Sequence, residues 1–353
     1  MTACATVSQD LFARAERRSI PINMMLELTY RCNERCLHCY LPETQGLRPT
    51  RAGEELTAAE WNRVLEELVE AGTLYLILTG GEVILRPDLL TIMKRARELY
   101  FNLELFTNAT LLTPELADAW AELDVASVGV SCYSPDAVRH DRMTKLKGSF
   151  DATMRGVRLL KERGITVTLK SPLMRMNLAN YSGLISLAEE LGVAWKFDPM
   201  VLPRNDGSDV PTRLGLDDAG LERVYRDEKI MPRGELIQSA PMDPSAPTCS
   251  AGRTSGAISP FGDVVPCIQW MVTAGNVRRQ SFAEIWQGGE VMTQARSFTA
   301  ADVKPCPDCG KPHLMHCLGM SELERKDPLV PSTECCRLTK TIGAIQDKIE
   351  VKP

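Results

Sequence analysis

The sequence predicts an α/β chain: a partial (β/α)6 barrel followed by a C-terminal cysteine-rich extension. Short apolar runs alternate with amphipathic helical patterns six times, at a repeat of roughly 30 residues, which is the signature of a parallel sheet with helices outside it. Six units are too few to close an eight-stranded barrel, so the sheet stays splayed. After residue 248 the pattern gives way to cysteines, prolines and turn residues.

The elements follow in order. Ile22 to Leu28 reads as a buried strand, and Thr57 to Gly72 as a helix. Thr57 and Glu60 form a capping box there, Trp61, Val64, Leu65 and Leu68 recur at helical spacing, and Gly72 ends it. Leu74 to Leu78 is the second strand, and Pro87 opens a helix to about Tyr100. Leu103 to Phe106 is the third strand, and Thr113-Pro114 starts the next helix. Strands at Ala126 to Ser131, Ile165 to Lys170 and Ala194 to Asp198 alternate with helices at Phe150 to Arg163 and Tyr181 to Leu191. Asn205 to Asp217 reads as loop. Gly256 to Pro260 and Asp263 to Pro266 form a hairpin turned at Phe261-Gly262-Asp263. Ser281 to Arg296 and a segment from about Leu338 read as helices. The expected division is a barrel over 20–205, a bridging linker over 206–248 and the extension over 249–353.

Chemistry in such folds gathers at the carboxyl ends of the strands, where Cys32, Gly80, Asn108, Ser131 and Lys170 fall. A formal charge of −5 with no basic block offers no phosphate-tracking stripe, so no nucleic-acid partner is expected. The densest basic stretch, Arg14 to Arg18, is broken by glutamate and reads as a solvated helical face. No apolar run reaches the roughly eighteen residues that span a bilayer, and the first ten residues lack a secretory layout. The expected compartment is the cytosol, where thiols stay reduced. Twelve cysteines there point to metal, and they fall in two regions: three between Cys32 and Cys39, and seven from Cys249 onward.

Cys32-Asn-Glu-Arg-Cys36-Leu-His-Cys39-Tyr40 sets three thiols on one tight loop, enough to hold three corners of a 4Fe–4S cube and leave the fourth iron open. A zinc loop completed by His38 is the alternative, though His38 lies between two ligands and would strain to reach the same ion.

With Cys32, Cys36, Cys39, the following aromatic Tyr40, and Gly80-Gly81-Glu82 after the second strand, the chain resembles the radical S-adenosylmethionine (SAM) superfamily. The resemblance implies that the open iron is chelated by the amino and carboxylate groups of SAM. It further implies that one donated electron breaks the sulfonium C–S bond, yielding methionine and a 5′-deoxyadenosyl radical. Gly80, Gly81 and Glu82 would hold the SAM amino group, with Val83 where the family commonly has proline. Asn108, Ser131, Lys170 and Asn177 stand where relatives bind ribose and carboxylate. Capping for the two asparagines and a surface place for the lysine are the plainer readings. Within His140-Asp141-Arg142-Met143-Thr144, threonine replaces an expected arginine, leaving Arg142 or Lys145 as substitutes. Cys132, after Ser131, is expected to face the cofactor or substrate as a hydrogen or proton donor; a small buried apolar residue is the competing reading.

Cys249, Gly262 with Cys267, Cys306-Pro-Asp-Cys309, Cys317 and Cys335-Cys336 are similar to the SPASM extension, which houses auxiliary iron–sulfur clusters. Together the two resemblances cover roughly residues 20 to 340. His313 replaces a cysteine of that pattern. The implied sets are Cys306, Cys309, His313 and Cys335 for one cluster, and Cys249, Cys267 and Cys317 for another, the latter open or completed by Cys336 or His316. One degenerate cluster, or a zinc ribbon of Cys306, Cys309, Cys335 and Cys336, remains as an alternative.

Relatives mostly modify peptides or proteins, and a minority act on small molecules such as tetrapyrroles. Ile268-Gln269 stand where sulfatase-maturing members carry aspartate, against that activity. The resemblance implies a peptide substrate and an electron donor such as flavodoxin or ferredoxin; with so short a stretch before the first strand, either a separate leader-peptide-binding protein supplies recognition or the substrate is not a leader peptide. Small-molecule radical chemistry is the runner-up, and a non-enzymatic zinc or electron-transfer scaffold the rival of another class. Asp198, Arg204 and Asp206, beyond the sixth strand, are further candidates for the active face. Iron and sulfide analysis of the anaerobically reconstituted protein checks the auxiliary ligands: His313→Ala is expected to carry less iron, and an undiminished content removes His313 from the set.

Overall fold

A computed structural model describes residues 2–43, 46, 51–231, 243–305 and 316–350. Six parallel strands, β1 (Asn23–Thr29), β2 (Tyr75–Gly80), β3 (Asn102–Thr107), β4 (Ser127–Ser131), β5 (Val167–Pro172) and β6 (Ala194–Asp198), are laid side by side in chain order. The sheet does not close, as the six repeats predict. Helices α2 (Ala58–Glu70), α3 (Leu89–Glu98), α4 (Pro114–Glu122), α6 (Ser149–Glu162) and α7 (Tyr181–Leu191) connect successive strands, joined by a short α5 (Ala137–Thr144). An N-terminal α1 (Thr2–Arg18) precedes the sheet.

Strand alternation sorts the side chains. Met24, Leu26, Leu28, Leu76, Leu78, Leu103 and Leu105 point outward and meet Trp61, Val64, Leu65, Ile92 and Trp120 in one core with no exposed surface. The opposite face lines the barrel interior. The capping box at Thr57 and Glu60 is present, with Glu60 N–H donating to Thr57 Oγ1 and the Glu60 carboxylate accepting from Thr57 N–H.

The extension does not stand apart. Its hairpin, β7 (Ser255–Ile258) and β8 (Asp263–Val265), continues the sheet: β7 runs parallel to β1 and covers the edge that the splayed barrel leaves there. A two-residue β9 (Gly275–Asn276) completes nine strands. Phe282, Ile285 and Trp286 of the extension join the barrel core.

Several elements depart from expectation. The helix expected over Ser281 to Arg296 is two, α9 (Phe282–Gly288) and α10 (Glu290–Ser297), because Gly289 adopts an extended conformation (φ −63°, ψ 128°) and breaks the ladder. Residues 206–248, read as linker, include a helix α8 (Asp218–Tyr225), capped by Asp217 accepting from Gly220 N–H at 2.8 Å. It packs Leu221, Val224 and Tyr225 against Leu338, Ile342 and Ile345 of the last helix, α12 (Thr333–Glu350). That helix begins before Leu338, so Cys335 and Cys336 lie in its first turns, after α11 (Leu318–Arg325). Among the described residues no helix is long and apolar enough to cross a membrane.

Arg86, 5 % exposed, ties the first two repeats together. It donates to Leu28 O at 2.6 Å and Leu56 O at 2.5 Å and pairs with Asp88 at 2.7 Å. Arg86→Leu leaves two buried carbonyls without donors and is expected to cost about 3 kcal/mol in denaturant unfolding, whereas a loss below about 1 kcal/mol would show the clamp to be dispensable.

Candidate active site

The three-cysteine loop leaves β1 and folds back under hydrogen bonds to its neighbours. Arg35 N–H donates to Thr144 O at 3.0 Å and Leu37 N–H to Met143 O at 2.9 Å, strapping the loop to the end of α5. Its other support is the glycine loop after β2. Gly81 N–H reaches Thr29 O at 2.7 Å, and Glu82 N–H reaches Arg31 O at 2.8 Å. A Cβ on Gly80 would sit 2.2 Å from Thr29 O, and one on Gly81 2.2 Å from Arg31 O. Gly80 also holds φ +129°. Only glycine allows this approach.

Glu82 is fully buried and engaged: it accepts from Thr107 Oγ1 and Asn108 N–H, both at 2.7 Å. Asn108 in turn donates from Nδ2 to Asn33 Oδ1 at 2.9 Å, inside the cysteine loop. Asn177, 1 % exposed, accepts from Met174 N–H at 2.8 Å and donates to Tyr133 O and Pro172 O. These three side chains join the strand ends to one another.

A cavity of about 370 Å³ opens beside the loop. His38, Tyr40, Ser131, Tyr133 and Lys170 line it. His38 and Tyr133 meet edge to face at 4.5 Å. Neither was assigned a role there by sequence reading; the signal for His38 was its place inside the cysteine motif, which pointed only to zinc. Cys132 is a correction: it has no exposed surface, belongs to the outer core and donates weakly to Ser134 O at 3.7 Å. Alternation along the chain sends Ser131 and Tyr133 inward and Cys132 the other way. Arg142 and Lys145 are exposed, and Thr144 Oγ1 bonds Ser149 Oγ at 2.8 Å. Asp198 lies at the cavity rim, while Asp206 accepts from Ser208 N–H within its own loop, where Arg204 also bonds Ser208.

The donor set suits an iron–sulfur cube. Glu34 N–H donates to Cys32 Sγ at 3.4 Å, and Cys36 Sγ donates to Glu34 Oε2 at 3.1 Å. Burial pushes the Cys32 thiol up to about 12 and raises Cys36 well above its usual range. Thiols so placed ionise when a metal supplies the compensating charge. Beside them Glu34 Oε1 and His38 Nδ1 are buried with no partner. Among the described residues no three Cys, His, Asp or Glu side chains converge as ligands of a single ion. Ligands of a cube bind different irons and stand farther apart, so this spacing is compatible with it.

The extension brings a second group together. Gln269 N–H donates to Cys267 Sγ at 3.5 Å, repeating the contact at Cys32, and Cys317 Sγ donates to Gln269 Oε1 at 3.2 Å. Cys249 and Cys267 pack with Trp270, Phe298 and Leu318. Burial pushes Cys317 up to about 12, with Cys335, Cys267 and Cys249 as nearby like charges. Cys335 and Cys336 are buried, and His316 Nε2 lies 2.7 Å from Pro328 O. Cys306, Cys309 and His313 lie outside the described residues.

An open parallel barrel with a three-cysteine loop after its first strand, beside a cavity lined by His38 and Tyr40 of that loop, defines an enzyme built to mount an iron–sulfur cluster next to a small molecule. The chain belongs to the radical SAM superfamily: that family's model matches residues 26–185, and an iron–sulfur cluster-binding domain matches 249–310. Its cofactors are accordingly a 4Fe–4S cluster and SAM, with auxiliary iron–sulfur in the extension. A PqqA peptide cyclase from Rhodopseudomonas palustris is 30 % identical over 321 residues, 84 % of this chain and 81 % of the relative. An AdoMet-dependent heme synthase from Methanosarcina barkeri is 28 % identical over 294 residues, 76 % of this chain and 83 % of the relative. The fold resembles that of Streptococcus suis SuiB in its complex with the precursor peptide SuiA, at a TM-score of 0.70 and 16 % identity, covering 94 % of this chain and 80 % of that one.

His140, 1 % exposed, accepts from Tyr133 N–H at its Nδ1 and so holds the cavity wall. Burial lowers it from 6.5 to about 4. The unfolded chain therefore binds the extra proton first, and stability is lost as pH falls from about 6.5 toward 4. Urea unfolding at pH 7 and pH 5 is expected to show a smaller difference for His140→Gln than for the parent chain; equal differences would place the titration elsewhere.

Proposed function

We propose that this protein cleaves SAM reductively and uses the resulting carbon radical to take a hydrogen atom from a peptide or protein substrate. The observation that carries the reading is the meeting of the three-cysteine loop with the Gly80-Gly81 loop, backbone to backbone, beside a cavity lined by His38 and Tyr40 from the same loop. When bound, the cluster and SAM supply a one-electron cleavage that yields a strong hydrogen-abstracting radical.

The chain's own residues then have distinct tasks. Cys32, Cys36 and Cys39 hold the cube. The carbonyls around Gly80 and Gly81 receive the SAM ammonium, and Glu82, saturated by Thr107 and Asn108, keeps those carbonyls in place. His38, Tyr40, Ser131 and Tyr133 form the wall that positions SAM and excludes water. Asn177 keeps the ends of β4 and β5 in register from behind the site. Cys249, Cys267, Cys317 and Cys335 hold auxiliary iron. The division into barrel (20–205), bridge (206–248) and extension (249–353), an electron donor of flavodoxin or ferredoxin type, a separate leader-peptide-binding protein and a cytosolic setting belong to the same reading.

The wider coverage by the peptide cyclase favours a peptide over the tetrapyrrole or other small molecule suggested by the heme synthase. Anaerobically reconstituted protein given SAM and dithionite is expected to release 5′-deoxyadenosine, and the triple variant Cys32→Ala, Cys36→Ala, Cys39→Ala none. Zinc in place of iron at these cysteines, or no 5′-deoxyadenosine from the iron-loaded chain, overturns the reading.

A further inference from the structure

After Cys249 the chain turns at Ser250 to Arg253, and its backbone ties the turn to the strand end that carries Cys267. Gly252 N–H donates to Ser255 O at 2.8 Å and to Pro266 O at 3.3 Å. Arg296 of α10 donates from Nε to Gly252 O at 2.7 Å. Gly252 holds φ +68°, and a Cβ there would fall 2.9 Å from Ala295 Cβ, so the turn packs directly on α10.

Arg253 closes this turn with charge that the chain leaves unpaired. Its guanidinium donates to Arg296 O, and neither arginine forms an ion pair among the described residues. Burial and the Arg253 charge together lower Arg296 below its usual range. Arg253 Nε is buried with no partner. The cation acts on a cysteine of the extension: burial raises the Cys249 thiol, and the Arg253 charge pulls against it.

Trp270 adds a second orphan donor. It is 3 % exposed, packs with Cys249 and Cys267, stacks on Phe298, and donates its backbone N–H to Cys267 O at 2.9 Å. Its indole Nε1–H, which can only donate, is buried with no partner. Trp61 and Trp120 leave the same group unpartnered within the apolar barrel core, whereas Trp270 leaves it among thiols. Buried donors without acceptors are costly and point to a group that the site is built to receive. The sulfurs of an iron–sulfur centre accept hydrogen bonds and carry negative charge, so both donors fit one.

We propose that Arg253 and Trp270 raise the reduction potential of the auxiliary iron–sulfur centre whose ligands include Cys249 and Cys267, making it the readier acceptor of an electron. The electron adds negative charge to the centre, and a neighbouring cation and N–H dipole favour the reduced form. Both residues act through the ligands and are positioning residues. The proposal rests on the assignment of auxiliary iron–sulfur to the extension and is independent of the substrate.

The test is a redox titration of the iron-loaded full chain with dithionite and mediators, followed by electron paramagnetic resonance. The signal that SAM perturbs belongs to the barrel cluster and serves as the internal reference. Arg253→Met is expected to disfavour reduction of an auxiliary centre about tenfold, a fall of about 59 mV for a one-electron couple, and Arg253→Lys to restore most of it. Trp270→Phe keeps an aromatic ring, removes the N–H, and is expected to disfavour reduction about fivefold. Iron content and the reference midpoint are expected to stay constant in all three. Unmoved auxiliary midpoints in Arg253→Met and Trp270→Phe, a fall in Arg253→Lys as large as in Arg253→Met, an equal shift of the reference, or iron lost in place of a shift each overturn the assignment. Should Arg253→Met fail to fold, Trp270→Phe decides alone. Failure of the wider reading registers separately, as zinc in place of iron in the extension.

Discussion

Two stretches of backbone, Thr29 to Arg31 and Gly80 to Glu82, lie so close that no side chain fits between them, and the rest of the site is arranged around that contact. The cysteine loop must leave β1 at a fixed angle for His38 and Tyr40 to reach the cavity beside it. Hydrogen bonds from Gly81 and Glu82 set that angle, and the buried carboxylate of Glu82 carries the constraint to β3 through Thr107 and Asn108. Asn108 returns it to the cysteine loop through Asn33. The result is a closed circuit of hydrogen bonds centred on the buried Glu82 and Asn108, where an unsatisfied member would be expensive. Rigid placement of this kind is what a cluster needs if a small molecule is to dock on it in one orientation.

Much of this was legible beforehand, and for physical reasons. Six alternations of short apolar runs with period-3.6 helical patterns announce a parallel sheet, and the capping box at Thr57 marks the start of α2 from residue spacing alone. The thiol spacing and the glycine pair fall at strand ends because the fold exposes backbone there. What could not be read was direction. Cys132 and Ser131 are neighbours in sequence, yet only the pleat sends one to the core and the other to the cavity. The break at Gly289 was hidden because a helical pattern of apolar residues continues across it.

Long-range pairing was equally silent. Nothing in Ser255 to Ile258 says that its partner is β1, more than two hundred residues earlier, since the same residues would suit an isolated hairpin. Helix α8, just past the Gly, Pro and Asp-rich stretch, went unread within the 206–248 linker because its apolar side chains pack on Leu338, Ile342 and Ile345 at the far end of the chain. Tyr133 likewise acquires meaning only when the strand ends are set side by side and its ring meets His38.

The continuity of the sheet from β6 through β1 to β9 has a thermodynamic consequence. Metal taken up by folded cysteines draws the folding equilibrium toward the native chain by mass action. Because β7 is bonded to β1 and Phe282 and Trp286 lie in the barrel core, ordering of the extension and of the barrel are linked rather than independent. Iron acquired at one end of the molecule therefore stabilises the geometry at the other.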